Sequence, residues 1–133
     1  MIIILLLLFS VSASLSFVQH SEADPYDVAL KKAIELDKDG FYEESIGYWK
    51  KSLKDSPANI RLYSSLKISR TYTRLGNLIR AEEISQALKE SHPNYYESWF
   101  NYANTAGALK KYSQAISAFK KSIAIKPKEG LGR

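Results

Sequence analysis

Tyr63, Lys67, Arg70 and Arg74 carry the most suggestive chemistry in this chain of 133 residues. Their spacings of 4, 3 and 4 place them on one face of a helix, with Ile68 and Tyr72 on another. Three cations beside an aromatic ring can hold a carboxylate or an acidic segment, and arginine grips a carboxylate through paired hydrogen bonds. A solvated stripe that only keeps a helix soluble has the same pattern. Groups suited to catalysis are scarce. His92 sits in Ser91-His92-Pro93, a turn sequence that suits a solvated histidine. The adjacent acids Glu43-Glu44 and Glu82-Glu83 diverge on a helix, and both pairs fall early in a helix, where negative charge complements the dipole. The chain has no cysteine, no histidine pair spaced for a metal and no strand-to-helix phosphate loop. Gly130-Leu131-Gly132 lies in a tail without a following helix. No catalytic residue, metal or cofactor is expected, and the chain reads as a non-enzyme.

The first 18 residues, MIIILLLLFSVSASLSFV, are apolar or small, and no charge occurs before Glu22. Such a run suits the core of a signal peptide and is marginal for a membrane span, which needs roughly 20 apolar residues. Ser21-Glu22-Ala23 places small residues where a signal peptidase cuts, so residues 1–23 are expected to be removed after Ala23, with Ala13 the alternative site. The n-region lacks the usual Lys or Arg. Without cleavage the segment would anchor the chain in a membrane. Either outcome implies export, to a secreted, periplasmic or cell-envelope location. Nineteen Lys and Arg against fourteen Asp and Glu leave the chain basic, and loss of Glu22 makes the mature form more so. An exported chain without cysteine must be held together by burial and helix packing alone.

The remainder is organised by a repeat. Pro57, Pro93 and Pro127 lie 36 and then 34 residues apart. The same steps relate Ser45, Ala81 and Ala115, and likewise Tyr42, Leu78 and Tyr112. Gly40 and Gly76 mark one turn twice, and Lys110 stands there in the third unit. Each unit holds two amphipathic patterns. In the third, Trp99, Tyr102, Ala103 and Ala106 share one face, as do Tyr112, Ala115, Ile116, Phe119 and Ile123. Asp24, Asn59, Asn77 and Asn94 are candidate helix caps, with Pro25 suited to a first helical position. No segment alternates with the period of a strand, so the class is all-α. Periods of this size denote stacked units rather than one closed core.

These residues resemble the tetratricopeptide repeat family. Trp99, Tyr102, Ala103, Ala106, Ala115, Phe119 and Pro127 fill its signature positions in the third unit. The first unit keeps Ala33, Leu36, Gly40, Tyr42, Ser45, Trp49 and Pro57, with Ala29 in the opening aromatic slot. The second keeps Ile68, Ser69, Tyr72, Gly76, Leu78, Ala81 and Pro93, with Ser65 in that slot. Ser85 stands where an aromatic is expected, and Ile84 is expected to fill its space. The resemblance implies a right-handed helical-repeat solenoid of three antiparallel helix pairs, with repeats over 26–59, 62–95 and 96–129 and a tail over 130–133.

The family binds extended peptides or partner helices in a groove lined by the first helix of each pair. The corresponding positions are Leu30 and Ile34, then Tyr63, Lys67, Arg70 and Arg74, then Phe100, Asn101 and Asn104. The carboxylate clamp of some members is not reproduced, because only Lys67 and Asn101 are compatible and Glu97 would repel an anion. A groove that is apolar at one end and basic in the middle suits an acidic or amphipathic peptide. The implied function is an exported interaction scaffold. The alternative is a basic surface for nucleic acid or anionic surfaces, suggested by net charge with Tyr63 and Tyr95 near cations. Ile123 and Ile125, at the end of the array, are expected to be partly uncovered and open to self-association.

Overall fold

The computed structural model describes residues 23–126, which form six helices. The apolar leader, Pro127 and the tail lie outside the described residues. In chain order the helices are α1 (Pro25–Lys38), α2 (Tyr42–Lys51), α3 (Ala58–Arg74), α4 (Leu78–Ser91), α5 (Tyr96–Ala108) and α6 (Tyr112–Ile125). They pair as α1–α2, α3–α4 and α5–α6, and each pair packs on the next. None of them is long and apolar enough to cross a membrane.

Three turns of one design make the hairpins. The residue after the C-cap adopts a left-handed conformation, at Gly40 (φ 85°), Gly76 (φ 80°) and Lys110 (φ 63°). The next amide then reaches back to a carbonyl five residues earlier: Phe41 to Leu36, Asn77 to Tyr72 and Lys111 to Ala106, at 2.8–2.9 Å. These bonds satisfy carbonyls that a helix end leaves unpaired. Glycine adopts this conformation freely, whereas Lys110 holds it against the contact of its Cβ with the backbone.

The helix starts differ from the expected capping. Asp24 and Asn77 occupy cap positions, yet neither makes a side-chain cap bond. Asn59 falls inside the first turn of α3, which begins behind Pro57, and Tyr95 rather than Asn94 precedes α5. At α1 and α3 a proline at the entry presets the backbone without a side-chain cap.

Small residues set how closely the helices approach. Ala33, Ser45, Ser69, Ala81 and Ala103 are fully buried between paired helices. The serines also bond across the contacts. Ser69 donates to the Ala81 carbonyl (3.1 Å), Ser122 to the Tyr96 carbonyl (3.0 Å), and Ser52 and Ser64 share a bond of 2.7 Å. Two apolar clusters result. One joins Ala33, Ile46, Trp49, Ile68, Tyr72 and Ala81 across the first two pairs, with Ile84 packed against it. The other, Tyr102, Ala103, Ala106, Ala115 and Ala118, lies within the third pair, flanked by Trp99 and Phe119. Between them runs a seam of hydroxyls at Thr71, Ser85, Ser98 and Thr105, all buried. Thr73 and Thr105 bond across it at 3.1 Å, while the Ser98 hydroxyl is buried without a partner.

Candidate peptide-binding groove

The first helices of the three pairs, α1, α3 and α5, contribute to one face on which two cavities meet. The first, of about 440 Å³, lies between α1, α2 and α3 and includes Ile34, Tyr63, Lys67 and Arg74 in its wall. The second, of about 270 Å³, lies between α3 and α5 and is lined by Arg70, Thr73, Arg74, Phe100, Asn101 and Asn104. Arg74 belongs to both. Eight of the nine expected groove residues therefore line this face. Leu30 does not, because its side chain packs against the cluster around Trp49.

The helical spacing explains the grouping. Residues at 63, 67, 70 and 74 project from one side of α3, and the inward side is taken by Ile68 and Tyr72. The cations are not equivalent. Lys67 lies over the Tyr63 ring, with its ammonium 5.5 Å from the centroid. Arg74 lies over the Tyr42 ring at 5.1 Å and is 3.9 Å from the Asp37 carboxylate. Arg70 has no ion pair among the described residues. Partial burial pushes the Lys67 pKa below the usual lysine value, and the neighbouring charges of Arg70 and Arg74 add to that. Asp37 and Glu97 oppose the shift without cancelling it. An unneutralised positive field thus occupies the middle of the face.

Asn101 sharpens the second cavity. It is only 4% exposed, and its Nδ2 is buried with no hydrogen-bond partner. A buried amide donor without a partner costs roughly 1–3 kcal/mol. Asn104, one turn further on, is exposed. Phe100, 41% exposed, supplies an apolar wall and meets Phe119 edge-on at 5.6 Å.

Spacing alone does not single out Asp37, Tyr42 or Thr73, which also line the cavities. Asp37 shares a face with Ile34, three residues before it, and that is the one signal available. It matters because it occupies Arg74, while Arg70 and Lys67 have no ion pair among the described residues. Among the described residues no group of His, Asp and Glu gathers where it could hold a metal ion.

Residues 96–129, which begin with α5, match the model of the tetratricopeptide repeat family. No curated protein matches the chain by sequence. Among solved structures the chain is similar to MamA of AMB-1 in two crystal forms. The P212121 form gives a TM-score of 0.63 at 25% identity, over 87% of this chain and 68% of that one. The C2221 form gives 0.59 at 24% identity, over 77% of this chain and 59% of that one, a likeness of fold. The chain thus spans well under the full length of these relatives. It is an all-α helical-repeat protein with a MamA-like fold, and its residues 96–129 form a tetratricopeptide repeat.

Proposed function

We propose that the protein is an exported, non-enzymatic scaffold that binds an acidic or amphipathic peptide segment of a partner protein along the face of α1, α3 and α5. The observation that carries the reading is the cavity where Arg70, without an ion pair among the described residues, meets the unpartnered amide of Asn101 beside Asn104. A carboxylate entering there gains two bonds from the guanidinium. A small rotation of the Asn101 side chain would give its buried donor an acceptor. The adjoining cavity, with Ile34 and Tyr63 in its wall, would take an apolar side chain of the same peptide. Export is supported by the uncharged apolar run before Glu22.

The Tyr63, Trp99 and Tyr102 rings already carry lysine ammonium groups of the chain itself, from Lys67 and Lys89. Stacking of bases on those rings would have to displace them, which favours a peptide over a nucleic acid.

The test is fluorescence anisotropy with an acidic amphipathic peptide, a charge-reversed copy and single-stranded DNA, on the native chain and on Arg70→Glu. The acidic peptide should bind, with at least about a tenfold loss on substitution. Binding that Arg70→Glu leaves intact, or tighter binding of DNA with a steep salt dependence, would refute the reading. Mass spectrometry of the exported protein should find Asp24 at its N-terminus.

A further inference from the structure

The outer face of α6 repeats, position for position, an apolar stripe that the fold covers elsewhere. In α2 and the turn after it, Tyr42, Ile46, Trp49 and Leu53 form a ridge at helical spacing. Helix α3 lies across that ridge. Tyr63 meets the Trp49 ring edge-on at 5.8 Å, the Ser64 hydroxyl bonds that of Ser52, and Arg74 lies over Tyr42. The start of α3 meets the end of α2 and its end meets the start of α2, so the covering helix runs antiparallel. In α6 the same positions hold Tyr112, Ile116, Phe119 and Ile123, with Ser122 in the place of Ser52. Phe119 is half-buried against Phe100 and Ser122 is buried against the Tyr96 carbonyl, but among the described residues nothing covers Tyr112, Ile116 or Ile123. Ile46 is 8% exposed and Ile116 54%; Ile123 is 65% exposed.

The charges beside the stripe distinguish its occupant. At about 100° per residue, Lys120 and Lys126 fall on opposite sides of the ridge, the Lys126 ammonium lying 4.6 Å from the Tyr96 ring centroid and keeping its charge. No acid occurs anywhere from Tyr112 to Lys126, whereas α2 carries Glu43 and Glu44 as well as its lysines. Two copies of the stripe laid face to face would set lysine against lysine. A helix with an apolar ridge and acidic flanks would neutralise Lys120 and Lys126 while covering Ile116 and Ile123.

We infer that the outer face of α6 docks an antiparallel amphipathic helix of a partner protein, apolar at its centre and acidic along its flanks. This surface is separate from the cavities on the α1, α3 and α5 face. Helix α3 is the template for the ligand, because it performs the same task on α2. The probe is a synthetic peptide of residues 57–76 carrying Arg61→Glu, Lys67→Glu and Arg70→Glu, compared with the peptide of unaltered sequence. Isothermal titration with the full chain carrying Arg70→Glu, which closes the groove, should show the acidic peptide binding at least about tenfold more tightly than the unaltered one. The exposed substitution Ile123→Glu should remove that binding without changing the helical dichroism or the melting temperature. Because Arg70→Glu disables the groove, the binding that remains in this background belongs to α6. Equal affinity for both peptides would overturn the inference, and so would binding that survives Ile123→Glu. A free chain that sediments as a dimer dispersed by Ile123→Glu would instead assign the face to a second copy. Solvent protection of Ile116 and Ile123 in the free monomer would assign it to the chain's own residues beyond Lys126.

Discussion

Two polar side chains show how local environment departs from residue type. Ser98 is buried and its hydroxyl bonds to nothing, although the neighbouring Ser85 donates to the Glu82 carbonyl. Ser98→Ala should therefore raise stability, by about 1 kcal/mol, as read from the urea midpoint at unchanged slope. Lys67 behaves differently, because folding lowers its pKa through burial and the Arg70 and Arg74 charges. The unfolded chain holds that proton more tightly, so this group's contribution to stability rises with pH between its folded pKa and the ordinary lysine value. An anion in the groove favours the ammonium form and shifts the pKa back upward. Peptide affinity should stay level below the pKa of the free protein and fall as pH rises through it. Side-chain NMR titration of Lys67 with and without peptide checks both directions. Sequence spacing makes the shared face of Tyr63, Lys67, Arg70 and Arg74 legible, since helical geometry fixes it. It cannot show that Asp37 engages Arg74, because that contact spans two hairpins and depends on how they stack.

The hairpins show which local rules were decisive. Small residues at Ser45, Ala81 and Ala115 mark helix contacts in sequence and are buried in the structure, since no larger group fits between the paired helices. The Gly40 and Gly76 turns are equally readable. The caps are not, because a proline opens α3 ahead of Asn59, and Tyr95 rather than Asn94 precedes α5. The hydroxyl seam was hidden for a related reason: serine and threonine suit either a surface or a close helix contact, and composition does not choose between them. Lys110 is the exception among the three turns, with φ at 63°. Lys110→Gly should stabilise the protein by about 0.5–1 kcal/mol. Gly40→Ala should destabilise it by a similar amount, and through backbone conformation alone, because an added Cβ would meet no atom within 4 Å. Opposite shifts in melting temperature would verify the pair.

Across the whole array, stability is shared unequally. Trp49 is fully buried and joins the first two pairs, whereas the junction with the third relies on hydroxyls and on the Lys111–Glu82 ion pair of 2.6 Å. Trp49→Ala should cost about 3–5 kcal/mol. Hydrogen exchange should show the loss concentrated in α1 to α4, with α5 and α6 protected longer, because a repeat array responds through nearest neighbours. Substantial contacts join helices that are successive in the chain, with α3 and α5 the one additional pair. Folding such a chain requires no closure of a long loop and no sulfur oxidation. Assembly can begin in any hairpin and spread outward on a time scale of microseconds to milliseconds. A polypeptide threaded through a secretion channel in extended form would regain its shape almost as fast as it emerged.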